Sequence, residues 1–215
     1  MANNFGKLLI VGAGGHGKTV ADAADCMGIW DEIAFADKKY PDMVVCGKWP
    51  LVANQDDFQN LRKSFTHAVV AIGNATTRMR LLDELSAYGF SIPAVCHPSS
   101  VIATDVVLDD GVVVLAGAII NTGARIGRGC IVNTGASIDH DCILDEGVHI
   151  CPGARLAGEV LVGTYGWIGI GAVIIQQRKV GSGAMVGAGA VVIRDVPDNI
   201  TVVGVPAKVL ANSEV

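Results

Sequence analysis

The chain has 215 residues, of which 51% are hydrophobic but only 5% aromatic, and it carries 27 glycines and a formal net charge of −5. Its acidic and basic residues are interspersed, which argues against nucleic-acid binding and against a charged tail. No apolar run has the length of a membrane-spanning helix, and we expect no cleavable leader. Six cysteines without a CxxC pair favour free thiols in a cytoplasmic protein.

Residues 1–99 predict a small Rossmann-like α/β domain. The segment KLLIVGAGGHGKTVADAADCMG has the pattern of a strand, a glycine turn and an amphipathic helix that begins at Gly17. EIAFADKKY follows as a second strand with a charged loop, and HAVVAIGNATTRMRLLDELSAYG as a third strand and a helix. This alternation predicts a parallel sheet of about four strands, with right-handed connections and helices on its faces.

The glycine turn has the spacing G-x-G-x-x-G at Gly12, Gly14 and Gly17, and Asp37 follows Gly17 by 20 residues. This pattern is the dinucleotide fingerprint of dehydrogenases. It also suits a nucleotide-sugar, because glycines let the backbone approach a diphosphate and a helix N-terminus offers it N–H donors. The domain is short for a dehydrogenase, and nothing after it resembles a dehydrogenase substrate domain. A nucleotide-sugar is therefore the favoured ligand.

The second half of the chain has a period of six. From Ile102 onward every sixth residue is aliphatic, for sixteen positions without an exception. The residue four positions after each anchor is small or aliphatic almost throughout, with Arg178 as the clear break. The anchors are Ile102, Leu108, Val114, Ile120, Ile126, Val132, Ile138, Leu144, Ile150, Leu156, Val162, Ile168, Ile174, Val180, Val186 and Val192.

A period of six predicts a parallel β-helix in which each hexad forms one short strand and one corner. The anchor points inward, and glycine adopts the backbone angles of the corner. Three hexads form one triangular coil, and residues 102–191 supply 90 residues, enough for five coils. Such a prism has almost no cleft of its own, so we expect a site to need a neighbouring subunit.

The hexads resemble the left-handed β-helix of the hexapeptide-repeat acyltransferases, and the closing segment VGVPAK strengthens this likeness. Together with the first domain, the chain resembles the nucleotide-sugar N-acetyltransferases that modify amino-dideoxy sugars, and the related sialic-acid O-acetyltransferases. The motifs that carry the resemblance are GAGGHGK, FADK, AIGN, NTGASIDHDC, HICPGARLAG and VGVPAK.

The resemblance implies a nucleotide-sugar-binding domain at residues 1–99 and a β-helix acetyltransferase domain at residues 100–215. It implies a homotrimer that transfers an acetyl group directly from acetyl-CoA to the amine of a nucleotide-linked sugar, for bacterial surface glycan synthesis. A UDP-sugar is expected, although the residues do not decide the base. No metal, nucleic acid or membrane is expected as a partner.

The resemblance also assigns the residues of the site. His140 is the general base, Asp141 orients it or keeps it basic, and Asn133 orients the base. The positions implied to contact acetyl-CoA are His149, Gly158, Ile170, Ala188 and Lys208. Of these, Gly158 is the backbone donor near the thioester carbonyl. Ala188 stands where glycine is expected, a change that a backbone contact tolerates. The positions implied to bind the sugar nucleotide are Gly14, Gly15, His16, Asp37, Lys38, Gly73 and Asn74.

Three alternatives remain open from the residues alone. A zinc enzyme like the γ-class carbonic anhydrases would need a third ligand beside His140 and His149. A non-catalytic protein would bind the nucleotide-sugar without turnover of acetyl-CoA. A sialic-acid O-acetyltransferase would acetylate a hydroxyl group instead of an amine. Of the other histidines, His67 is interpreted as a surface residue and His97 as a structural one.

Overall fold

The computed structural model describes residues 6–210, and the chain divides into two compact units, Met1–Pro98 and Ser99–Val215. Among the described residues, no helix is long and apolar enough to cross a membrane. The first unit contains β1 (Lys7–Val11), α1 (Gly15–Met27), β2 (Glu32–Ala36), β3 (Val45–Cys46), β4 (Trp49–Ala53), α2 (Phe58–Leu61), β5 (His67–Val70), α3 (Ala75–Ala87) and β6 (Val95–Cys96).

The first unit is built on a five-stranded sheet of order β3-β4-β2-β1-β5. Strands β1, β2, β4 and β5 are parallel, and β3 pairs antiparallel with β4. The apolar strand KLLIV is buried from Leu8 onward, as expected of a central parallel strand with both faces covered. The three predicted strands correspond to β1, β2 and β5, whereas the short hairpin of β3 and β4 and the helix α2 were not predicted.

The first helix begins two residues earlier than predicted, at Gly15, with Gly14 as its N-cap. Gly17 is therefore inside the helix. A Cβ on Gly17 would lie 2.1 Å from the carbonyl oxygen of Gly12, so the third glycine of the motif permits close packing of helix against strand. Gly12 itself has φ of +109°, which favours glycine at the turn.

The second unit consists of two-residue strands separated by corners, followed by two closing strands. They are β7 (Val101–Ile102), β8 (Val107–Leu108), β9 (Val113–Val114), β10 (Ile119–Ile120), β11 (Arg125–Ile126), β12 (Ile131–Val132), β13 (Ser137–Ile138), β14 (Ile143–Leu144), β15 (His149–Ile150), β16 (Arg155–Leu156), β17 (Leu161–Val162), β18 (Trp167–Ile168), β19 (Val173–Ile174), β20 (Lys179–Val180), β21 (Met185–Val186), β22 (Val191–Val192), β23 (Thr201–Val203) and β24 (Lys208–Val209).

These strands stack into the three faces of a left-handed parallel β-helix, which confirms the predicted fold. The first face contains β7, β10, β13, β16, β19 and β22, and the second contains β8, β11, β14, β17 and β20. The third face contains β9, β12, β15, β18, β21, β23 and β24, of which β24 runs antiparallel to β23. Equivalent residues of successive coils are 18 apart, as in the pairing of Ile120 with Ile138.

The hexad anchors form the interior of this prism. Fourteen of the sixteen, from Val114 to Val192, are buried, and the first two, Ile102 and Leu108, are half-buried. The strands β7 to β21 complete five coils, the number expected from the repeat length. Arg178, at the break in the pattern, is half-buried and lies 3.5 Å from Asp195. All six cysteines are free thiols.

Candidate active site

The pair His140–Asp141 occupies the corner between β13 and β14, where the first face meets the second. Nδ1 of His140 lies 2.8 Å from Oδ2 of Asp141. Asp141 has φ of +57°, a left-handed conformation that aspartate and asparagine tolerate better than most residues. When the imidazole is neutral, Nδ1–H donates to the carboxylate and Nε2 keeps its lone pair. The pair can therefore present Nε2 as a proton acceptor.

A glycine lies on each side of this pair, one in the coil above and one in the coil below. A Cβ on Gly158, one coil above, would lie 2.4 Å from Nε2 of His140. A Cβ on Gly123, one coil below, would lie 2.4 Å from Oδ1 of Asp141. Neither side chain of the pair could keep its position if these residues carried a methyl group. Because Gly123 and Gly158 have no side chains, space is left for the side chains of His140 and Asp141.

The electrostatic surroundings make His140 more basic than an isolated histidine. Its pKa is raised above 6.5, chiefly by the hydrogen bond to Asp141, and further by the charges of Asp139, Asp141 and Glu159. The side chain is 48% exposed, so solvent or a substrate can reach the ring. A raised pKa increases the strength of Nε2 as a base, at the cost of requiring a higher pH for the neutral form.

His149 lies on β15, in the third face, and is almost fully buried. Its Nε2 is 3.2 Å from the side-chain amide of Asn133, which can donate to the unprotonated nitrogen. Its ring lies 4.3 Å from that of Trp167, one coil above. Asn133 therefore contacts His149 within one chain, whereas its predicted role was to orient His140.

A cavity of about 330 Å³ extends from this histidine along the third face. Its lining is largely apolar and includes Asn133, His149 and Trp167 together with two further predicted residues, Ile170 and Ala188. Ile170 and Ala188 are both exposed. The structure thus brings together three of the five residues implied to contact acetyl-CoA.

The other two residues of that set lie elsewhere. Gly158 is buried directly above His140. Lys208 is exposed on β24 and lines a separate groove of about 260 Å³ that also contains Asp195. A larger cavity of about 480 Å³ lies on the second face, but no predicted site residue lines it.

His140 and His149 face opposite sides of the prism. His140 is at the corner between the first and second faces, and His149 is on the third face, which lies across the prism from that corner. The anchor Ile150 is buried, so its neighbour His149 projects outward from β15. The two halves of the predicted site are therefore separated within one chain.

In the first unit, the glycine turn follows β1 at the carboxyl edge of the sheet. Gly14 and Gly15 are exposed, and a Cβ on either would meet no atom within 4 Å. They line a cavity of about 230 Å³ together with Lys18 and Lys39. Two ammonium groups beside backbone amides at a helix N-terminus suit a phosphate-bearing ligand.

Asp37 stabilises this turn through hydrogen bonds. Its Oδ2 accepts a hydrogen bond of 2.7 Å from Ala13 N, and its Oδ1 accepts one of 2.9 Å from Lys39 N. The carboxylate thus links the loop after β2 to the loop after β1. Lys38, the next residue of the FADK motif, is exposed.

His16 and Asn74 lie at the N-terminal ends of the two long helices of the unit. Burial, with the nearby charge of Arg78 as the second cause, lowers the pKa of His16 from 6.5 to about 4, so its imidazole is neutral near pH 7. Asn74 is the N-cap of α3, and its Oδ1 accepts a hydrogen bond of 2.9 Å from Thr77 N. Gly73 precedes it and is half-buried, with open space at its Cβ position.

Sequence reasoning missed several residues at these two places. Trp167 looked like any outward residue of a hexad, and Lys18 like any exposed helix residue. Arg78 left a detectable signal, because an arginine occupies the apolar face of a helix that otherwise buries Met79 and leucines. A buried charge in such a position commonly has a specific partner.

Three potential metal ligands in residues 6–210 come within 4.8 Å of one another, namely atoms of Asp22, Cys26 and His97. They include neither His140 nor His149, so the described part of one chain does not complete a zinc site around those two histidines.

Comparisons with known proteins identify the family of the chain. A family model described as the PglD N-terminal domain matches residues 7–85. The acetyltransferase domain of PglB from Neisseria gonorrhoeae, solved with acetyl coenzyme A, is 40% identical over 95% of this chain and 98% of its own, with a TM-score of 0.92. WeeI from Acinetobacter baumannii is 29% identical over 95% of this chain and 100% of its own, with a TM-score of 0.85.

A third relative was solved with both of its ligands. A variant of perosamine N-acetyltransferase from Caulobacter crescentus, in complex with CoA and GDP-perosamine, is 38% identical over 97% of this chain and 98% of its own, with a TM-score of 0.90. The predicted family is thereby confirmed, and so is the prediction of an acyltransferase. The chain belongs to the hexapeptide-repeat nucleotide-sugar N-acetyltransferases.

Proposed function

We propose that this enzyme transfers the acetyl group of acetyl-CoA to the amine of a UDP-linked amino-dideoxy sugar, for surface glycan synthesis, with His140 as the general base. The observation that carries this proposal is the pair of His140 and Asp141, whose Nδ1–Oδ2 contact of 2.8 Å leaves Nε2 available beside Gly158. Acetyl-CoA is the co-substrate, as the bound ligand of the gonococcal relative supports.

The proposed reaction is a direct transfer. The neutral amine attacks the thioester carbonyl carbon, a C–N bond forms, and Nε2 of His140 takes the proton that the nitrogen loses. The tetrahedral intermediate then collapses, the C–S bond breaks, and the CoA sulfur leaves with the proton returned by the imidazolium. A backbone N–H of Gly158 is the proposed donor to the oxyanion.

We propose that each site combines two chains of a homotrimer. His140 lies across the prism from His149 and from the cavity that contains Ile170 and Ala188, so one chain cannot bring the base to that cavity. A threefold arrangement of prisms would place the His140 corner of one chain against the third face of its neighbour. Asn133 would then hold the ring of His149 in its own chain and orient His140, the base, of the adjacent chain.

The first unit is the proposed nucleotide-sugar site. Gly14 and Gly15 leave space for a close approach of the diphosphate, Lys18 and Lys39 supply positive charge, and Asp37 holds the turn in shape. His16, Gly73 and Asn74 stand at the beginnings of α1 and α3 and are proposed to face the ligand. Lys38 and Lys208 remain proposed contacts of the nucleotide and of CoA, respectively.

An assay of CoA release across UDP-, GDP- and CMP-linked sugars, each with and without a free amine, tests this proposal. We expect turnover only with amine-bearing sugars and best with the UDP-linked one, with a product heavier by one acetyl group. A preference for the GDP-linked sugar, as in the ligand of the Caulobacter relative, would replace UDP with GDP as the proposed nucleotide. Turnover only with a hydroxyl acceptor would replace the N-acetyltransferase with an O-acetyltransferase.

A further inference from the structure

Arg78 is the largest fully buried side chain in the described part of the protein. It is the fourth residue of α3 and shares its buried face with Met79 and three leucines. Taking a guanidinium out of water is costly unless its donors are bonded. A side chain of this kind, on an apolar helix face, is expected to have a specific task.

The contacts of Arg78 lie in the loop between β5 and α3. Its Nη1 donates to the carbonyl oxygens of Ile72 and Gly73, at 2.8 Å each. Its backbone N–H makes the ordinary first hydrogen bond of the helix, to the carbonyl of the N-cap Asn74 at 2.9 Å, which does not depend on the side chain. Side chains tilt toward the N-terminus of their helix, which explains why an arginine in the first turn reaches back to this loop. The side chain of Arg78 therefore fixes two consecutive residues of the loop, Ile72 and Gly73.

This loop meets the glycine turn at a particular point of the sheet. After β1 the chain returns to the sheet at β2, whereas after β5 it returns at Ser91, which bridges His67 on the side of β5 away from β1, so the two connections leave in opposite directions. Ligands of open α/β sheets bind at such a switch point, beyond the carboxyl ends of the strands. The two loops are in close contact, because a Cβ on Gly12 would lie 3.0 Å from the carbonyl oxygen of Ala71.

A second effect of Arg78 reaches the beginning of α1. After burial, the charge of Arg78 is the second cause of the lowered pKa of His16. His16 lies in the first turn of the helix that follows the glycine turn. The guanidinium thus acts on both loops of the switch point, through hydrogen bonds on one side and through its charge on the other.

We propose that Arg78 is a positioning residue of the nucleotide-sugar site. It holds the loop of Gly73 and Asn74 against the glycine turn and supplies a permanent positive charge beside the place where the diphosphate binds. This inference rests on the function proposed for the first unit. It adds a residue that contacts the loop from inside the fold.

Calorimetric titration of the whole protein with UDP and with GDP tests this inference. The variants are Arg78→Met, which keeps most of the volume and removes the charge, and Arg78→Lys, which keeps the charge on a single donor group. The matched control is Arg80→Met, because Arg80 is exposed on the same helix and pairs with Glu84. We expect Arg78→Met to weaken binding of the preferred nucleotide roughly 10- to 100-fold, the usual effect of losing hydrogen bonds from a charged group. Arg78→Lys should fall between it and the wild type, and Arg80→Met should match the wild type.

Two further readouts separate positioning from general destabilisation. The affinity for CoA, which is proposed to bind the other unit, should stay within about twofold of the wild type in all variants, since their substitutions lie in the first unit. In NMR titrations the pKa of His16 should rise in Arg78→Met and stay unchanged in Arg80→Met, because only the former removes a like charge.

The outcomes are distinct. A wild type that binds neither nucleotide overturns the function proposed for the first unit, and this inference with it. If Arg78→Met and Arg78→Lys bind nucleotide as tightly as the wild type does, this inference is contradicted and the function proposed for the first unit is unaffected. If Arg78→Met does not fold, Arg78→Lys decides: selective weakening supports the inference, and wild-type affinity or an equal loss of CoA binding contradicts it.

Discussion

The imidazole of His140 is held by the carboxylate of its own neighbour, Asp141, with Nδ1 and Oδ2 2.8 Å apart. Adjacent residues make this contact because Asp141 takes the left-handed conformation at the corner, with φ of +57°. This hydrogen bond also makes His140 more basic, because it is the largest cause of the increased pKa of the imidazole. The same hydrogen bond therefore fixes the orientation of the His140 ring and raises its proton affinity.

The first prediction concerns the pH profile of Asp141→Asn. Asparagine tolerates the left-handed conformation, so the corner should keep its shape. A general base acts when neutral, so if His140 is the base, as proposed, activity should fall as the pH drops through its pKa. Removing the carboxylate lowers that pKa, and the acidic limb of kcat/KM should move to lower pH. Turnover on the plateau should also fall, since the imidazole loses its orienting partner.

Glu159→Gln is the control for this shift. Glu159 is the last of the causes that raise the pKa of His140, so its removal should move the limb in the same direction by a smaller amount. An acidic limb that stays in place in Asp141→Asn, or moves to higher pH, would show that another group determines the profile.

The second prediction concerns Gly158→Ala. The added methyl group would lie 2.4 Å from Nε2 of His140, so the ring must leave its position. A displaced base should lower turnover by about 10²-fold, the cost typical of a misplacement of about 1 Å. Binding of the nucleotide-sugar should be unchanged, because the first unit is untouched. Wild-type turnover in a folded Gly158→Ala protein would mean that the observed ring position is not the reactive one.

The third prediction contrasts two glycines of the G-x-G-x-x-G motif. Gly14→Val introduces a side chain into open space, so it should leave the melting temperature unchanged and raise KM for the nucleotide-sugar by blocking the diphosphate. Gly17→Ala places a Cβ 2.1 Å from the carbonyl oxygen of Gly12, so it should destabilise the fold by about 1–3 kcal/mol. Steady-state kinetics and thermal melts measure the two effects. A normal KM in Gly14→Val would place the diphosphate elsewhere.

The fourth prediction tests the proposed homotrimer with assemblies that mix two variants. His140→Ala and His149→Ala should each be impaired alone, the former in turnover and the latter in use of acetyl-CoA. If each site takes His140 from one chain and His149 from its neighbour, random co-assembly in equal amounts leaves about a quarter of the sites with both histidines. CoA release should recover to about that fraction of the wild type. Mixtures no more active than the separate variants, despite exchange of subunits, would contradict the shared site.

Much of the fold follows directly from periodicity. A six-residue repeat requires every anchor to face the same interior, and from Val114 to Val192 each one is buried. The hairpin of β3 and β4 escaped prediction because its two-residue strand β3 and its turn at Gly47 lack a periodic pattern. The position of Gly17 inside α1 depends on the packing of helix against strand, which local sequence signals do not contain.

The site was predictable in part. His140 and His149 are nine residues apart, which is half of an 18-residue coil, so their placement on opposite sides of the prism was already implied by the repeat. The contact between Asn133 and His149 depends on side-chain placement and was not foreseen. Arg78 and Trp167 acquire their surroundings only from the folded chain, one from the loop after β5 and the other from the histidine below it.

Turnover by His140→Ala is the most direct test of the proposed chemistry. CoA release and the acetylated product should be measured with acetyl-CoA and the best amino sugar of the panel, using protein shown to be folded and to have the oligomeric state of the wild type. We predict that kcat falls by roughly 10²–10⁴, the usual contribution of a positioned general base, while the affinity for both substrates changes little. A His140→Ala enzyme with near wild-type kcat and an unchanged acidic limb would contradict the account, and the proton acceptor would have to be sought elsewhere.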